Sequence, residues 1–288
     1  MEVALGTVQF GLIYGVAGGR VSLRNSQIRK ILEAALEHGI VTLDTAPLYG
    51  DIESRLESLC AGLEFRINSK IPPIPPELDS IAAAHWVVES ARCSRRRLGR
   101  KLTGLMFHRA EDLVGERGRV VWSMIREWAS EEKVSLGVSG YDANLVRSIC
   151  DESRVSIVQL PGNAFDLRHR EVFARLPSRP ELQLRSAFLQ GLLLLPVEVA
   201  IARVPEAAEA LQHWHKWLAD CALTPLRGAL SIVKGFQHAD TCVIGVDDTR
   251  QLEEIMDTWV RAQPLVIEEL ACDNPFVIDP RCWKEWRQ

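Results

Sequence analysis

Short runs of β-forming residues alternate with amphipathic helical stretches along the whole chain of 288 residues. Eight such runs predict strands at 2–7, 40–44, 65–69, 102–107, 134–138, 155–160, 182–185 and 241–244. The stretches between them predict helices at 26–38, 53–61, 81–98, 119–131, 144–150, 205–220, 225–235 and 251–261. Strands that alternate with helices form parallel sheets, because each connection has to cross back over the sheet. Since no linker-like segment interrupts the eight units, the sequence predicts an α/β fold, a single-domain (β/α)8 TIM barrel over residues 1–288.

A doubly wound open sheet is the alternative arrangement. Sheets of that kind that bind nucleotides usually carry a glycine-rich phosphate loop after the first strand. The glycines that follow the first predicted strand, Gly6, Gly11 and Gly15 among them, do not have the spacing G-x-G-x-x-G. No G-x-x-x-x-G-K-[ST] motif occurs anywhere in the chain. The barrel is therefore the favoured fold.

Charge and cysteine usage limit the partners and the compartment. Lys and Arg total 34 against 38 Asp and Glu, a net charge of −4. The protein therefore has no overall positive charge that would attract a nucleic acid backbone. The apolar runs are all far shorter than the roughly 20 residues that cross a bilayer, so we expect no membrane partner. The seven cysteines include no C-x-x-C pair, which favours reduced thiols and a cytoplasmic protein.

Polar residues stand where three neighbouring strands end. The second predicted strand ends at Asp44 and Tyr49 follows it, the third leads into Lys70, and the fourth leads into His108. The carboxyl ends of barrel strands face one rim, where Asp44 and Lys70 are able to neutralise each other. An ammonium beside a phenol is expected to lower the pKa of Tyr49, and His108 is placed to hydrogen-bond a carbonyl oxygen. The four residues predict a site that protonates a carbonyl oxygen.

The segment Asp44-Thr-Ala-Pro-Leu-Tyr49-Gly50, followed in order by Lys70 and His108, resembles the catalytic motif of the aldo-keto reductase family. The opening Leu5-Gly-Thr-Val-Gln-Phe-Gly11 is similar to the first strand and loop of the same family. The resemblance covers nearly the whole chain. It implies a reversible hydride transfer between NADPH and an aldehyde, ketone or sugar carbonyl, with Tyr49 as the proton donor.

The same resemblance implies a site for the nicotinamide cofactor. Residues 137–141 and Gln159 are similar to the part that binds the carboxamide, residues 184–191 to the part that backs the nicotinamide and wraps the pyrophosphate, and residues 243–254 to the adenosine end. The cofactor-binding residues it implies are Gly6, Thr7, Asp44, Ser139, Gln159, Arg185, Ser186, Gln190, Gly245, Val246, Asp247, Gln251 and Glu254.

Three departures from the family pattern bear on the cofactor. Gly140 stands where many members have Asn, and Arg185 stands where many have an aromatic residue against the nicotinamide. A positive charge there disfavours the oxidised ring, so we expect the reduced cofactor to bind better. Gly245 and Val246 stand where the family usually has basic and hydroxyl residues that bind the 2′-phosphate of NADPH. Asp247 favours a free ribose hydroxyl instead, and Arg250 is the cation that substitutes for the missing residues. NADP(H) is the predicted cofactor, with NAD(H) as the open alternative.

Two other functions compete with carbonyl reduction. A lyase or aldolase would use Lys70 to form a Schiff base with its substrate. A non-catalytic subunit would bind the nicotinamide cofactor as a redox sensor. We expect no metal site, because His213 and His215 are two residues apart on a predicted helix and do not share a face.

The remaining expectations concern the tail and the assembly. The C-terminal tail, about residues 265–288 with Trp283 and Trp286, is expected to lie near the substrate pocket, as it does in the family. The expected partner is a small-molecule carbonyl substrate, and the chain is expected to be a monomer or a weak oligomer.

Overall fold

The strands close into a complete barrel. The structure is a computed structural model that describes residues 1–17, 23–170 and 179–283. Its eight parallel strands pair in chain order, and the first also pairs with the last. They are β1 (Glu2–Gly6), β2 (Thr42–Asp44), β3 (Arg66–Ile71), β4 (Leu102–Phe107), β5 (Ser135–Ser139), β6 (Ile157–Pro161), β7 (Glu181–Arg185) and β8 (Thr241–Gly245). The predicted (β/α)8 barrel is confirmed, and the open sheet is excluded because no strand is left with a free edge.

Helices surround the barrel. Within the described residues they are α1 (Val8–Gly11), α2 (Asn25–Glu37), α3 (Ile52–Leu59), α4 (Ser80–Leu98), α5 (Gly115–Glu132), α6 (Ala143–Glu152), α7 (Val197–Arg203), α8 (Ala208–Asp220), α9 (Pro225–Lys234), α10 (Thr249–Arg261) and α11 (Pro275–Ile278). Short 3-10 helices lie at Gly99–Lys101, Ala110–Leu113, Leu192–Leu194, Pro205–Ala207 and Pro280–Cys282. In the ranges described, none of the helices has the length and apolar character needed to cross a membrane.

Side-chain caps explain where several helices begin. Asp248 accepts a hydrogen bond from the backbone N–H of Gln251, so α10 begins at Thr249, two residues before its predicted start. Asp142 caps α6 and Asp79 caps α4 in the same way. These caps fix the helix ends that follow the carboxyl ends of β3, β5 and β8.

The loops after β1 and β2 are locked against each other by two glycines. A Cβ atom at Gly11 would collide with the backbone oxygen of Tyr49, and one at Gly50 would collide with the oxygen of Gly11. Gly50 also has a φ of +65°, which favours glycine. The backbone of Tyr49 is therefore held in a fixed position relative to β1.

A buried carboxylate anchors β3 beside the site. Glu53 on α3 accepts hydrogen bonds from the hydroxyls of Ser69 on β3 at 2.6 Å and Ser94 on α4 at 2.9 Å. The guanidinium of Arg97 completes its partners at 2.9 Å. Because Ser69 precedes Lys70, this cluster helps to hold the strand segment that carries the lysine.

Candidate active site

Asp44 and Lys70 form a buried ion pair at the rim. Lys70 Nζ donates to both carboxylate oxygens of Asp44, at 2.8 and 2.7 Å, and to the backbone oxygen of Thr45 at 3.1 Å. Burial lowers the pKa of Lys70, but the attraction of Asp44 and Tyr49 outweighs it and the net direction is upward. The side chain therefore stays an ammonium. A Schiff base needs the neutral amine, so this geometry opposes the lyase alternative.

Tyr49 stands half-buried next to this ion pair. Lys70 Nζ lies 5.2 Å from the centre of its ring. Burial raises the pKa of Tyr49, and the charge of Lys70 lowers it by less, so the net direction is upward. The expectation of a lowered pKa is wrong because loss of hydration outweighs the ammonium, although Lys70 acts in the expected direction. At neutral pH the hydroxyl keeps its proton and is able to donate it.

His108 faces Tyr49 across the same space. Burial and the nearby charges of Lys70 and Arg185 lower the pKa of His108 to about 4, so the imidazole is neutral at neutral pH. Its Nδ1 atom is buried without a hydrogen-bond partner among the described residues. A neutral imidazole orients an oxygen by hydrogen bonding but is a poor proton source. Of the two residues, Tyr49 is the better proton donor.

Two of the implied cofactor residues are bonded to Asp44. Gln159 Nε2 donates to Asp44 Oδ1 at 2.8 Å, and the Ser139 hydroxyl donates to Gln159 Oε1 at 3.4 Å. Thr7, just after Gly6 at the end of β1, donates from its backbone N–H and its hydroxyl to the backbone oxygen of Asp44. Sequence reasoning missed these bonds, because nothing local links residues so far apart in the chain.

Arg185 ends β7 at this rim. Its Nη2 atom donates to the backbone oxygen of Gly140 at 3.0 Å, and its guanidinium lies 4.1 Å from the centre of the Tyr141 ring. Among the described residues no carboxylate lies within 4.0 Å of it. The chain then turns through left-handed residues that include Ser186, with a φ of +61°, and Gln190, with a φ of +56°. The chain thereby forms a tight turn beside a cation, with Ser186 and Gln190 half-buried.

The loop after β8 carries the other implied cofactor residues. Asp247 and Gln251 bond each other, with Asp247 N donating to Gln251 Oε1 at 2.9 Å. Burial raises the pKa of the Asp247 carboxyl. Val246 is buried, and Glu254 is exposed on α10. Asp247 and Gln251 are thus hydrogen-bonded to each other within the loop.

The residues at this edge suit a nicotinamide dinucleotide. Gly245 approaches the Gln9 side chain so closely that a Cβ atom would collide with it, and Gln9 Oε1 is buried without a partner among the described residues. His108 Nδ1 is likewise unpartnered there. Free polar atoms together with the Arg185 cation match a ligand with amide and phosphate groups.

Part of the C-terminal tail packs onto the rim. The guanidinium of Arg281 lies 3.6 Å from the centre of the Tyr141 ring, and Trp283 is buried with its Nε1 donating to the Phe276 oxygen at 3.0 Å. Trp286 lies outside the described residues. The role of this tail in a substrate pocket stays a prediction.

A closed barrel with this set of Asp, Tyr, Lys and His at one rim is the architecture of a barrel oxidoreductase. The model of the aldo/keto reductase family matches residues 2–271. The chain belongs to this family, whose members use nicotinamide cofactors. The resemblance seen in the sequence is confirmed. No curated protein matches the chain.

Solved structures share the fold. An aldo-keto reductase from Bacillus halodurans, in its holo form, is 18% identical with a TM-score of 0.72, over 92% of this chain and 88% of that one. Its apo form gives a TM-score of 0.70 at 18% identity, over 93% and 89%. A Pseudomonas aeruginosa protein described as an aldo-keto reductase is 18% identical with a TM-score of 0.65, over 91% and 90%. At this identity the likeness concerns the fold.

Proposed function

We propose that the protein reduces the carbonyl of an aldehyde, ketone or sugar to the alcohol, with NADPH as the hydride donor and Tyr49 as the proton donor. The observation that carries the proposal is the contact of Tyr49 with both the buried Lys70 ammonium and the neutral ring of His108. The proposed proton source, Tyr49, and the proposed oxygen-orienting group, His108, therefore lie next to each other and to the same ion pair.

Each residue of the set has a separate task. When bound, the cofactor supplies a hydride to the carbonyl carbon. Tyr49 gives its proton to the carbonyl oxygen, and Lys70 stabilises the phenolate that this leaves. Asp44 keeps the Lys70 side chain charged and directs its ammonium group towards Tyr49. His108 holds the carbonyl oxygen near the Tyr49 hydroxyl by a hydrogen bond.

The preference for NADPH rests on the resemblance to the aldo-keto reductase family, and the candidate residue for holding the 2′-phosphate is Arg250, an exposed cation at the start of α10. Arg250 lies within residues 243–254, the segment that is similar to the part of the family that holds the adenosine end of the cofactor. Asp247 and Asp248 act in the opposite direction, because carboxylates repel a phosphate and accept hydrogen bonds from a free ribose. NADH is therefore the cofactor against which NADPH has to be compared.

The expected setting is the cytoplasm, with the chain as a monomer or weak oligomer. All seven cysteines are free thiols in the structure, and several are buried. Reduced thiols in a chain of this size are usual for a reducing compartment.

Titration with NADPH and with NADH, followed by quenching of the fluorescence of the eight tryptophans, tests the cofactor. Turnover is then measured with the better cofactor on a panel of aldehydes, ketones and sugars. We expect tight binding of NADPH and oxidation of NADPH on addition of a carbonyl. Tight binding without turnover would favour the redox-sensing subunit, and binding of neither cofactor would overturn the proposal.

A further inference from the structure

The interior of the barrel holds a continuous row of polar side chains. On β7, Glu181, Gln183 and Arg185 occupy alternate positions and so share one side of the strand. Gln183 is fully buried, and so is Gln159 beside it on β6. Barrel interiors are normally filled by branched apolar side chains, so two buried amides at this depth need their own hydrogen-bond partners.

The partners form a chain from the catalytic carboxylate to the opposite end of the barrel. Gln159 Nε2 donates to Asp44 Oδ1 at 2.8 Å and to Gln183 Oε1 at 3.1 Å. Gln183 Nε2 donates to Glu181 Oε1 at 2.9 Å. Glu181 is the exposed first residue of β7. About 13 Å of strand, at about 3.3 Å per residue, separates it from Arg185 at the catalytic rim.

The two ends fix the direction of every bond between them. A carboxylate only accepts hydrogen bonds, so Glu181 draws the Gln183 amide nitrogen and leaves its oxygen for Gln159. Gln159 then uses both of its N–H groups, one on Gln183 and one on Asp44. Its oxygen is left to accept from the Ser139 hydroxyl at 3.4 Å. Rotating either side-chain amide by 180° would break its hydrogen bonds to both of its neighbours in the row.

We propose that Gln183 and Glu181 are positioning residues for the reaction. They hold the Gln159 amide so that it donates to Asp44, and Asp44 in turn aims the Lys70 ammonium at Tyr49. The inference rests on the proposed function, because the aim of Lys70 matters for turnover only if Tyr49 is the proton donor. An exposed carboxylate at the far end of the barrel thus influences the proton donor at the rim.

The substitution Gln183→Met tests the chain by keeping the length of the side chain and removing both hydrogen-bonding atoms. Gln159 then has one unpaired N–H in the core and is released from its fixed orientation. We expect kcat to fall about tenfold, with the KM of the carbonyl substrate within about twofold, because the effect acts in the transition state. Glu181→Gln, at the exposed end, should lower kcat about threefold and provides the test if Gln183→Met fails to fold.

Thr241→Val is the matched control. The Thr241 hydroxyl is buried and donates to the same Glu181 Oε1 atom at 3.1 Å, but it has no bond to either glutamine. Its loss removes a hydrogen bond of the same kind from the same place. We expect kcat to stay at the wild-type value. A fall in kcat as large as that of Gln183→Met would mean that the row only stabilises the barrel and would overturn the inference.

A readout that needs no turnover separates this inference from the proposed function. The chain has three tyrosines, so 13Cζ-labelled tyrosine gives a spectrum that Tyr49→Phe assigns. We expect the Tyr49 resonance to move in Gln183→Met and Glu181→Gln and to stay in Thr241→Val. If wild-type protein reduces no carbonyl, the proposed function fails while the spectrum still reports the coupling. An unmoved Tyr49 resonance in a folded Gln183→Met would overturn the inference.

Discussion

The imidazole of His108 meets the ring of Tyr49 edge-on, with ring centroids 6.3 Å apart and planes at 90°. Lys70 Nζ lies 5.2 Å from the centre of the same Tyr49 ring. Both neighbours thus lie against the Tyr49 ring itself. A phenylalanine at this position keeps these contacts, so the substitution isolates what the hydroxyl does.

Tyr49→Phe is expected to lower kcat by about 10² to 10⁴, the usual contribution of a positioned general acid, without changing the dissociation constant of the cofactor. Steady-state kinetics and fluorescence titration measure the two quantities. Tyr141→Phe removes a phenol of the same rim that lies outside the catalytic set, and it should keep most of the turnover. Loss of cofactor binding in Tyr49→Phe with turnover retained would remove Tyr49 from its proposed role.

The Asp44 and Lys70 pair should behave as a unit in stability. Asp44→Asn leaves a buried ammonium without its anion and is expected to reduce the free energy of unfolding by about 3 to 5 kcal/mol. The double variant Asp44→Asn with Lys70→Met should be more stable than Asp44→Asn alone, because the unpaired charge is gone. Urea unfolding gives the free energy of unfolding of the wild type, the single variant and the double variant.

The exposed pair Arg29 and Glu33 gives the comparison for this prediction. Its atoms are 2.7 Å apart, but the side chains are 34% and 47% exposed. Glu33→Gln should therefore change the free energy of unfolding by about 1 kcal/mol or less. Equal losses in the single and double variants of Asp44 and Lys70 would show that the two charges are not coupled.

His169 should make the protein less stable in acid. Burial lowers the pKa of His169 to about 4, and neither ring nitrogen has a hydrogen-bond partner among the described residues. The unfolded chain, with a histidine pKa of about 6.5, takes up the proton first, so stability present above pH 6.5 is lost as the pH falls towards 4. The loss for this residue amounts to about 3 kcal/mol in the free energy of unfolding.

Denaturant unfolding between pH 7 and pH 4 checks this expectation. His169→Leu should make the free energy of unfolding fall less steeply over that range. A slope remains, since the pKa of His108 is also lowered to about 4 and acts in the same direction. His213→Gln, at an exposed position of α8, should leave the slope as it is. An unchanged slope in His169→Leu would mean that the residue is already charged in the folded state.

The barrel, and the position of Asp44, Lys70 and His108 at one rim of it, were predictable from the sequence because both depend on order along the chain. Alternation of strands and helices defines the fold class, and Asp44, Lys70 and His108 each follow a buried run. The short helices α1, α7 and α11 were missed, since helices of four to seven residues are too short to show a periodic pattern.

Other features depend on relations that the sequence does not display. Gln159 and Asp44 are 115 residues apart, and only closure of the barrel brings them into contact. The pKa of Tyr49 is decided by a balance between burial and the charge of Lys70, and burial wins. The sequence indicates which charges are close but not how much water the fold removes from them.

Arg185 should make the protein distinguish the oxidised from the reduced cofactor. No carboxylate lies within 4.0 Å of its guanidinium among the described residues, so its charge is not neutralised by an ion pair. Its charge lowers the pKa of both Tyr49 and His108, so it acts on the rim that carries these two residues. If the nicotinamide binds there, the positive ring of the oxidised form is repelled and the neutral reduced ring is not.

We therefore expect Arg185→Leu to tighten binding of the oxidised cofactor relative to the reduced one by about five- to tenfold, a difference of about 1 to 1.4 kcal/mol. Arg185→Lys keeps the charge and should keep most of the wild-type ratio, although it loses the planar contact with Tyr141. Fluorescence titrations of the three proteins with both forms give the ratios. If the two dissociation constants change by the same factor in Arg185→Leu, the guanidinium binds a part of the cofactor that both forms share, and its charge does not select the redox state.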